Sequence, residues 1–254
     1  MPSIDTLFDL PDKVAVITGG SRGLGREMSL AFAKHGAHIV IASRKLDECE
    51  AVAKEVRALG RRALPVSCHV GKWSDCDKLI EAAYAEFGRV DILVNNAGMS
   101  PLYPSLAEHT EDLYDKVMAV NLKGPFRLSS VIGSRMASGN GGTIINVSSV
   151  ASLRPTPVEV PYGTAKAGLN NLTISLAKAF GPKVRVNCIV AGPFLTDISK
   201  AWDMDAFNKR AAASMPLRRG GRPDEIVGLA LYLASDASSF TTGANIPVDG
   251  GSAL

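Results

Sequence analysis

No apolar run in these 254 residues approaches the length of about 18 that a membrane-spanning helix needs, and no charged-then-apolar leader opens the chain. A soluble, unexported, cytoplasmic protein without a membrane partner is therefore expected. Cys49, Cys68, Cys76 and Cys188 are the only cysteines. None of their spacings suits a metal site, so no metal is expected and the thiols read as reduced. Charge of one sign is scarce too: 28 Lys and Arg against 25 Asp and Glu leave a net +3. The basic residues are dispersed, and the pairs Arg61-Arg62 and Arg218-Arg219 read as solvated faces, which argues against a nucleic-acid partner. Nor does any Pro/Gly-rich linker, low-complexity stretch or repeat divide the sequence. One domain over residues 1–254, with a large core, is the expectation.

What is present is a rhythm of strands and helices. Val14 to Ile17 is a short apolar run suited to a strand buried on both faces, and Arg26 to His35 reads as a helix. Between them Gly19, Gly23 and Gly25 let the backbone turn sharply and approach a pyrophosphate, with a helix N-terminus behind it. Further strands are expected at 37–42, 63–68, 91–95, 143–147, 184–189 and 245–248. Helices are expected at 46–59, 74–87 (capped by Ser74), 111–137, 162–180 and 224–234. The alternation implies an α/β fold, a doubly wound parallel sheet of the Rossmann type. The polar constellations fall at the carboxyl ends of the strands, where such sheets bind ligands.

Tyr162 and Lys166 stand four residues apart on one predicted helix, so phenol and ammonium share a face, and Ser149 lies 13 residues before the tyrosine. A cation beside a phenol favours phenolate, so the phenol pKa is expected to fall below its usual value of about 10. The alternative is a surface lysine near a half-buried tyrosine. Asn121 is an awkward residue for a helix interior.

Thr18-Gly19-Gly20-Ser21-Arg22-Gly23-Leu24-Gly25, Asn95-Asn96-Ala97-Gly98, Asn121, Ser149, Tyr162-x-x-x-Lys166 and Val248-Asp249-Gly250-Gly251 stand in order over nearly the whole chain. In these the chain resembles the short-chain dehydrogenase/reductase family, compact single-domain type. The resemblance implies an oxidoreductase that moves a hydride between NADP(H) and a ketone, aldehyde or secondary alcohol. Tyr162 would be the general acid/base. Ser149 would hydrogen-bond the reacting oxygen, with Ser148 its rival. Lys166 would lower the phenol pKa and bind the nicotinamide ribose, and Asn121 would hold a water that relays protons from Lys166. A cofactor sensor or a catalytically silent scaffold on the same fold is the alternative.

The cofactor would lie along Gly19, Ser21, Arg22, Gly23, Leu24 and Gly25, then Asn96, Ala97 and Gly98, and finally Gly192, Phe194 and Thr196. Ser43 stands where NAD-binding members of the family carry aspartate, and Arg44 and Arg22 can grip a 2′-phosphate from two sides. NADP(H) is therefore the expected cofactor and NAD(H) the alternative. His69, before Val70, replaces the family's adenine-binding aspartate and is expected to stack on the adenine, bond to it or sit at the rim. Phe194 takes an aliphatic place and is expected to narrow the pocket behind the nicotinamide. Pocket walls are expected from 99–106, 153–160 and a lid over 197–216. They suit a medium-sized, uncharged carbonyl substrate. Small and apolar residues on helix 162–180, from Ala165, Gly168 and Leu169 to Leu172, Leu176 and Ala177, predict a homotetramer. A second stripe on helix 111–137, through Val117, Val120, Leu128 and Ile132, points the same way.

Overall fold

In the computed structural model, which describes residues 6–197, 199 and 202–254, Val14–Thr18 forms β1 and is buried on both faces. Its side chains alternate: Ala15 and Ile17 enter one apolar layer, Val14 and Val16 the other. The same holds across β2 (His38–Ser43), where Ile39 and Ile41 face one layer and Val40 the other. The remaining strands are β3 (Ala63–Ser67), β4 (Ile92–Asn95), β5 (Gly142–Ser149), β6 (Val184–Ala191) and β7 (Asn245–Val248). All seven run parallel in the order β3-β2-β1-β4-β5-β6-β7.

Helices α1 (Gly23–Lys34), α2 (Leu46–Ala58) and α8 (Val227–Ala234) cover one face, with Met28, Phe32, Val52 and Leu233 among their buried residues. Across the sheet, α3 (Trp73–Phe87), α5 (Gly124–Ser138) and α6 (Val160–Phe180) bury Leu79, Leu128, Ile132 and Leu176. This is a Rossmann-type α/β domain, with chain order reversing beside β1. There the connections leave in opposite directions, and a crevice opens at the carboxyl ends of β1 and β4. Among the described residues no helix is long and apolar enough to cross a membrane, and no group of His, Cys, Asp or Glu could hold a metal ion.

Local departures from the sequence expectations have physical causes. Helix α3 starts at Trp73, and its N-cap is Lys72 rather than Ser74, with no side-chain cap. The nearby Asp75 carboxylate instead accepts the His69 backbone N–H at 3.1 Å. The helix expected over 111–137 is α4 (Glu111–Met118), a π-turn at Ala119–Lys123, and then α5. Val117, Val120, Leu128 and Ile132 all lie in the core, as do Ala165, Leu169, Leu176 and Ala177 of α6. Most of the surface read as an oligomer face therefore covers the monomer's own sheet. An apolar groove of about 400 Å³ remains, lined by Met118, Leu122, Phe126, Gly168 and Leu172.

Of the expected lid, residues 198, 200 and 201 lie outside the described residues. Within the rest, α7 (Met204–Ser214) is capped by Asp203, whose carboxylate accepts the Ala206 N–H at 3.0 Å. Phe207, Ala211 and Met215 pack with Trp202 and Met204 in a small cluster separate from the two main layers.

Candidate active site

The crevice beside β1 is shaped by glycines, some held by conformation and some by close packing. Gly19 (φ +63°) and Gly23 (φ +50°) hold the turn in the left-handed region. A Cβ on Gly25 would lie 2.1 Å from the Gly19 carbonyl oxygen. Thr18 ties this turn to β4. Its hydroxyl accepts from the N–H groups of Asn96 (3.0 Å) and Ala97 (3.1 Å) and donates to the Val94 carbonyl at 3.2 Å. The Asn96 amide returns hydrogen bonds to the carbonyls of Thr18 and Gly19. Thr18 was not marked in the sequence as a site residue. Its position, last in a buried strand and first before the glycines, is the signal that could have found it.

The first turn of α1 has no side-chain cap and no acid. Its N–H groups and positive dipole end are therefore open to an anion, which is what a pyrophosphate needs. Across the crevice, a Cβ built on Gly23 would rest 3.5 Å from the Thr196 side chain. Ser21, with its hydroxyl 3.4 Å from Glu48, and Leu24, packed on the core, complete the turn. Arg22 lies 4.0 Å from Asp197. Ser43 ends β2, its hydroxyl on the Lys45 carbonyl at 3.2 Å, and the Arg44 carbonyl accepts from Ser67. The geometry fits a dinucleotide.

His69 sits at the rim, one of its expected places, whereas Phe194 turns inward. His69 Nδ1 accepts the Gly71 N–H at 3.1 Å, which fixes the ring on its own loop and leaves its face and Nε2 for a ligand. Val70 is buried, and a Cβ on Gly124 would sit 2.3 Å from its carbonyl oxygen, so the rim is pinned to α5. Phe194 is 7% exposed and lies in the layer under α8. Its ring meets Gly221, where a Cβ would come within 2.8 Å. The ring thus fills core and does not narrow the pocket; its backbone, paired with Gly221, is what borders the crevice. Gly192 packs against Asp249, so a Cβ there would meet the Asp249 Cα at 2.4 Å.

Ser149 ends β5 and Tyr162 lies in the first turn of α6, which begins with Pro161 near its N-terminus. The Ser149 hydroxyl is near enough to the Tyr162 phenol to act on its titration, and Ser149 Oγ accepts the Ala151 N–H at 3.2 Å. Ser148 points the other way and donates to the Lys166 carbonyl at 3.1 Å. Lys166 is buried, donates from Nζ to the Val147 carbonyl at 2.8 Å, and sits 5.7 Å from the centre of the Tyr162 ring. Asn121 occupies the π-turn. Its amide donates to the carbonyls of Met99 (2.8 Å) and Val117 (2.9 Å) and accepts the Met99 N–H at 3.2 Å. A Cβ on Gly98 would lie 3.1 Å from Asn121 Oδ1 and 3.5 Å from Lys166 Nζ, so a side chain there would press on Asn121. Tyr103 braces the pocket wall. Its hydroxyl donates to Pro157 O at 3.1 Å and accepts the Val160 N–H at 3.0 Å.

The electrostatics correct one expectation. Burial pushes the Tyr162 phenol up to about 12, with the Ser149 hydrogen bond opposing and the Glu159 carboxylate adding to the rise. The expected lowering by Lys166 is not found, because the ammonium is anchored on Val147 and lies over the ring rather than at the hydroxyl. Burial also pushes Lys166 down to about 8, only partly offset by the Cys188 thiol. Glu159 is raised as well, by burial, against a hydrogen bond from Thr156 and the charge of Arg210.

A glycine turn opening on a helix, facing a Ser–Tyr–Lys cluster at the neighbouring strand ends, defines a dinucleotide-dependent oxidoreductase. Residues 19–253 match the family described as enoyl-(acyl carrier protein) reductase. An uncharacterized oxidoreductase of Mycobacterium tuberculosis is 42% identical over 250 residues, covering 96% of this chain and 94% of its own. The solved structure of an NADPH-dependent 3-quinuclidinone reductase from Rhodotorula rubra superposes with a TM-score of 0.93 at 28% identity, over 99% of this chain and 96% of that one. A 7α-hydroxysteroid dehydrogenase, complexed with NADH and 7-oxo glycochenodeoxycholic acid, gives 0.93 at 30% identity over 98% of both. The chain belongs to the short-chain dehydrogenase/reductase family. It acts on CH–OH groups with a nicotinamide dinucleotide.

Proposed function

We propose that the protein reduces a ketone or aldehyde to an alcohol with NADPH, and runs the reverse reaction on a secondary alcohol. The convergence of Ser149 at the end of β5, Tyr162 in the first turn of α6 and buried Lys166 beside its ring carries this reading. NADPH, when bound, would supply the hydride for the carbonyl carbon. Tyr162 gives its proton to the carbonyl oxygen, and Ser149 hydrogen-bonds that oxygen and shares its developing charge. A phenol raised to about 12 keeps its proton at neutral pH, which suits the acid role and hence the reductive direction. Lys166 would hold the nicotinamide ribose. Both amide N–H groups of Asn121 are spent on backbone carbonyls, so a relay water would be taken by an oxygen of this residue. Leu102, Leu153 and Val158 present exposed apolar surface in the expected pocket walls, which supports a partly apolar substrate. A panel of carbonyls and alcohols, read by nicotinamide absorbance with both cofactors, tests the reading. Absence of turnover with every member would sink it.

NADP(H) is favoured by the cations at the end of β2 and by the lack of an acid at Ser43. Known members of the fold include both an NADPH-dependent enzyme and one bound to NADH. Arg44→Ala should weaken NADPH about ten-fold or more, because a charged hydrogen bond to phosphate contributes about 1.5–3 kcal/mol, and should leave NADH nearly unchanged. Titration of both cofactors against wild type and variant measures it, and a wild type that prefers NADH refutes the NADP(H) reading.

A cytoplasmic homotetramer completes the proposal. The groove of Met118, Leu122, Phe126, Gly168 and Leu172 supports it, since small and apolar residues there let helices from two copies approach closely. Light scattering at micromolar concentration should give four times the chain mass, and a value near 26.7 kDa would overturn it.

A further inference from the structure

The cations at the end of β2 are not alone. Glu48, in the first turn of α2, has both carboxylate oxygens engaged: Lys45 Nζ donates to Oε1 at 2.8 Å and Ser21 Oγ donates to Oε2 at 3.4 Å. The carboxylate thus bridges the glycine turn and the start of α2. Lys45 and, more weakly, Arg22 and Ser21 hold it below the ordinary carboxylate range, so it is ionised at neutral pH. The Arg22 charge also acts on Lys45, which places the Glu48 carboxylate, two cations and a buried serine hydroxyl in a single cluster, with Asp197 beside Arg22 and the Asp47 charge acting on Lys45 at its margins. Arg44 is next to Lys45 in the chain, and no ion pair engages it among the described residues.

We propose that Glu48 is a built-in competitor of the ribose 2′-phosphate and so limits the selectivity of the site for NADPH over NADH. The proposal rests on the NADP(H) reading above. A phosphate settling among Arg22, Arg44 and Lys45 needs the same donors, Lys45 Nζ and Ser21 Oγ, that Glu48 occupies. It also brings about 1.5–2 negative charges beside a carboxylate. The hydroxyl of NADH meets neither obstacle, because it is neutral and can itself donate to a carboxylate. Glu48 is one-third exposed, so solvent moderates the repulsion without removing it. The site is therefore a tuned compromise, with three cations drawing the phosphate in and the Glu48 carboxylate, which holds two of the donors, keeping the preference down.

The test is a binding titration of NADPH and of NADH, without substrate, against wild type, Glu48→Gln and Glu48→Lys, read by cofactor fluorescence. Glutamine keeps the shape and one acceptor and removes only the charge. NADPH should bind about five-fold more tightly to Glu48→Gln, the worth of one screened like-charge contact, with NADH within about two-fold. Glu48→Lys should tighten NADPH further and make its binding fall more steeply with salt. Equal changes for both cofactors would overturn the proposal, as would an unchanged NADPH/NADH ratio in a wild type that prefers NADPH. A wild type that prefers NADH would instead overturn the cofactor reading beneath it.

Discussion

Replacing Tyr162 by phenylalanine is expected to lower carbonyl reduction by roughly 10²–10⁴-fold while NADPH affinity stays within a few-fold. The ring still packs in the first turn of α6, and only the hydroxyl that faces Ser149 is lost. Because burial holds that phenol protonated, the hydroxyl is a proton source that water cannot easily replace in so desolvated a position. Steady-state rates with the best carbonyl of the panel measure the loss. Glu159 is the one other acid whose charge acts on Tyr162, and burial raises its own pKa. Residual turnover above about one per cent that fades as pH rises through the carboxyl range would name Glu159 as a second proton donor and refute an exclusive role for Tyr162.

Lys166→Met should abolish most activity, about 10²-fold or more, and should at the same time make the protein more stable at neutral pH. The native ammonium has a pKa of about 8 against 10.5 for an ordinary lysine. Between those values the unfolded chain binds a proton that the native state has released, so wild-type stability rises with pH across this window. Below pH 8 both states are charged and the native state bears the whole cost of the buried cation, about 3 kcal/mol at about 1.4 kcal/mol per pKa unit. Methionine fills similar space without charge. The stability gain of Lys166→Met over wild type should therefore be greatest below pH 8 and vanish above 10.5. Denaturant unfolding of both proteins at the two ends of the range measures it. A gain that does not change with pH would mean that Lys166 titrates normally despite its burial.

Much of this was legible from local pattern. A run such as Val14–Thr18 announces a doubly buried strand, glycines before a helix announce a phosphate turn, and a spacing of four puts Tyr162 and Lys166 on one helix face. What failed to show depends on partners distant in sequence. The π-turn carries Asn121, whose side chain bonds to Met99, 22 residues away, a partner that the helical pattern does not reveal. Phe194 reads as a pocket residue until Gly221 is seen to leave room for its ring in the core. The direction of the Tyr162 shift depends on burial and on where Val147 anchors the ammonium, and neither is a property of the Tyr-x-x-x-Lys spacing.

Thr18 also says something about how the protein comes to have a site at all. Its hydroxyl joins the glycine turn to Asn96, across 78 residues of chain, and Lys166 is joined to β5 across 19. Closing such long loops is entropically slow, and parallel strands that meet only after crossover helices place their contacts late in folding. The glycine turn can acquire its local shape early, but the crevice becomes a binding surface only when β4 docks beside β1. Catalytic competence therefore belongs to the slowly formed, long-range share of this fold, and a nascent chain that has made every helix of its first half still has nothing with which to hold a dinucleotide.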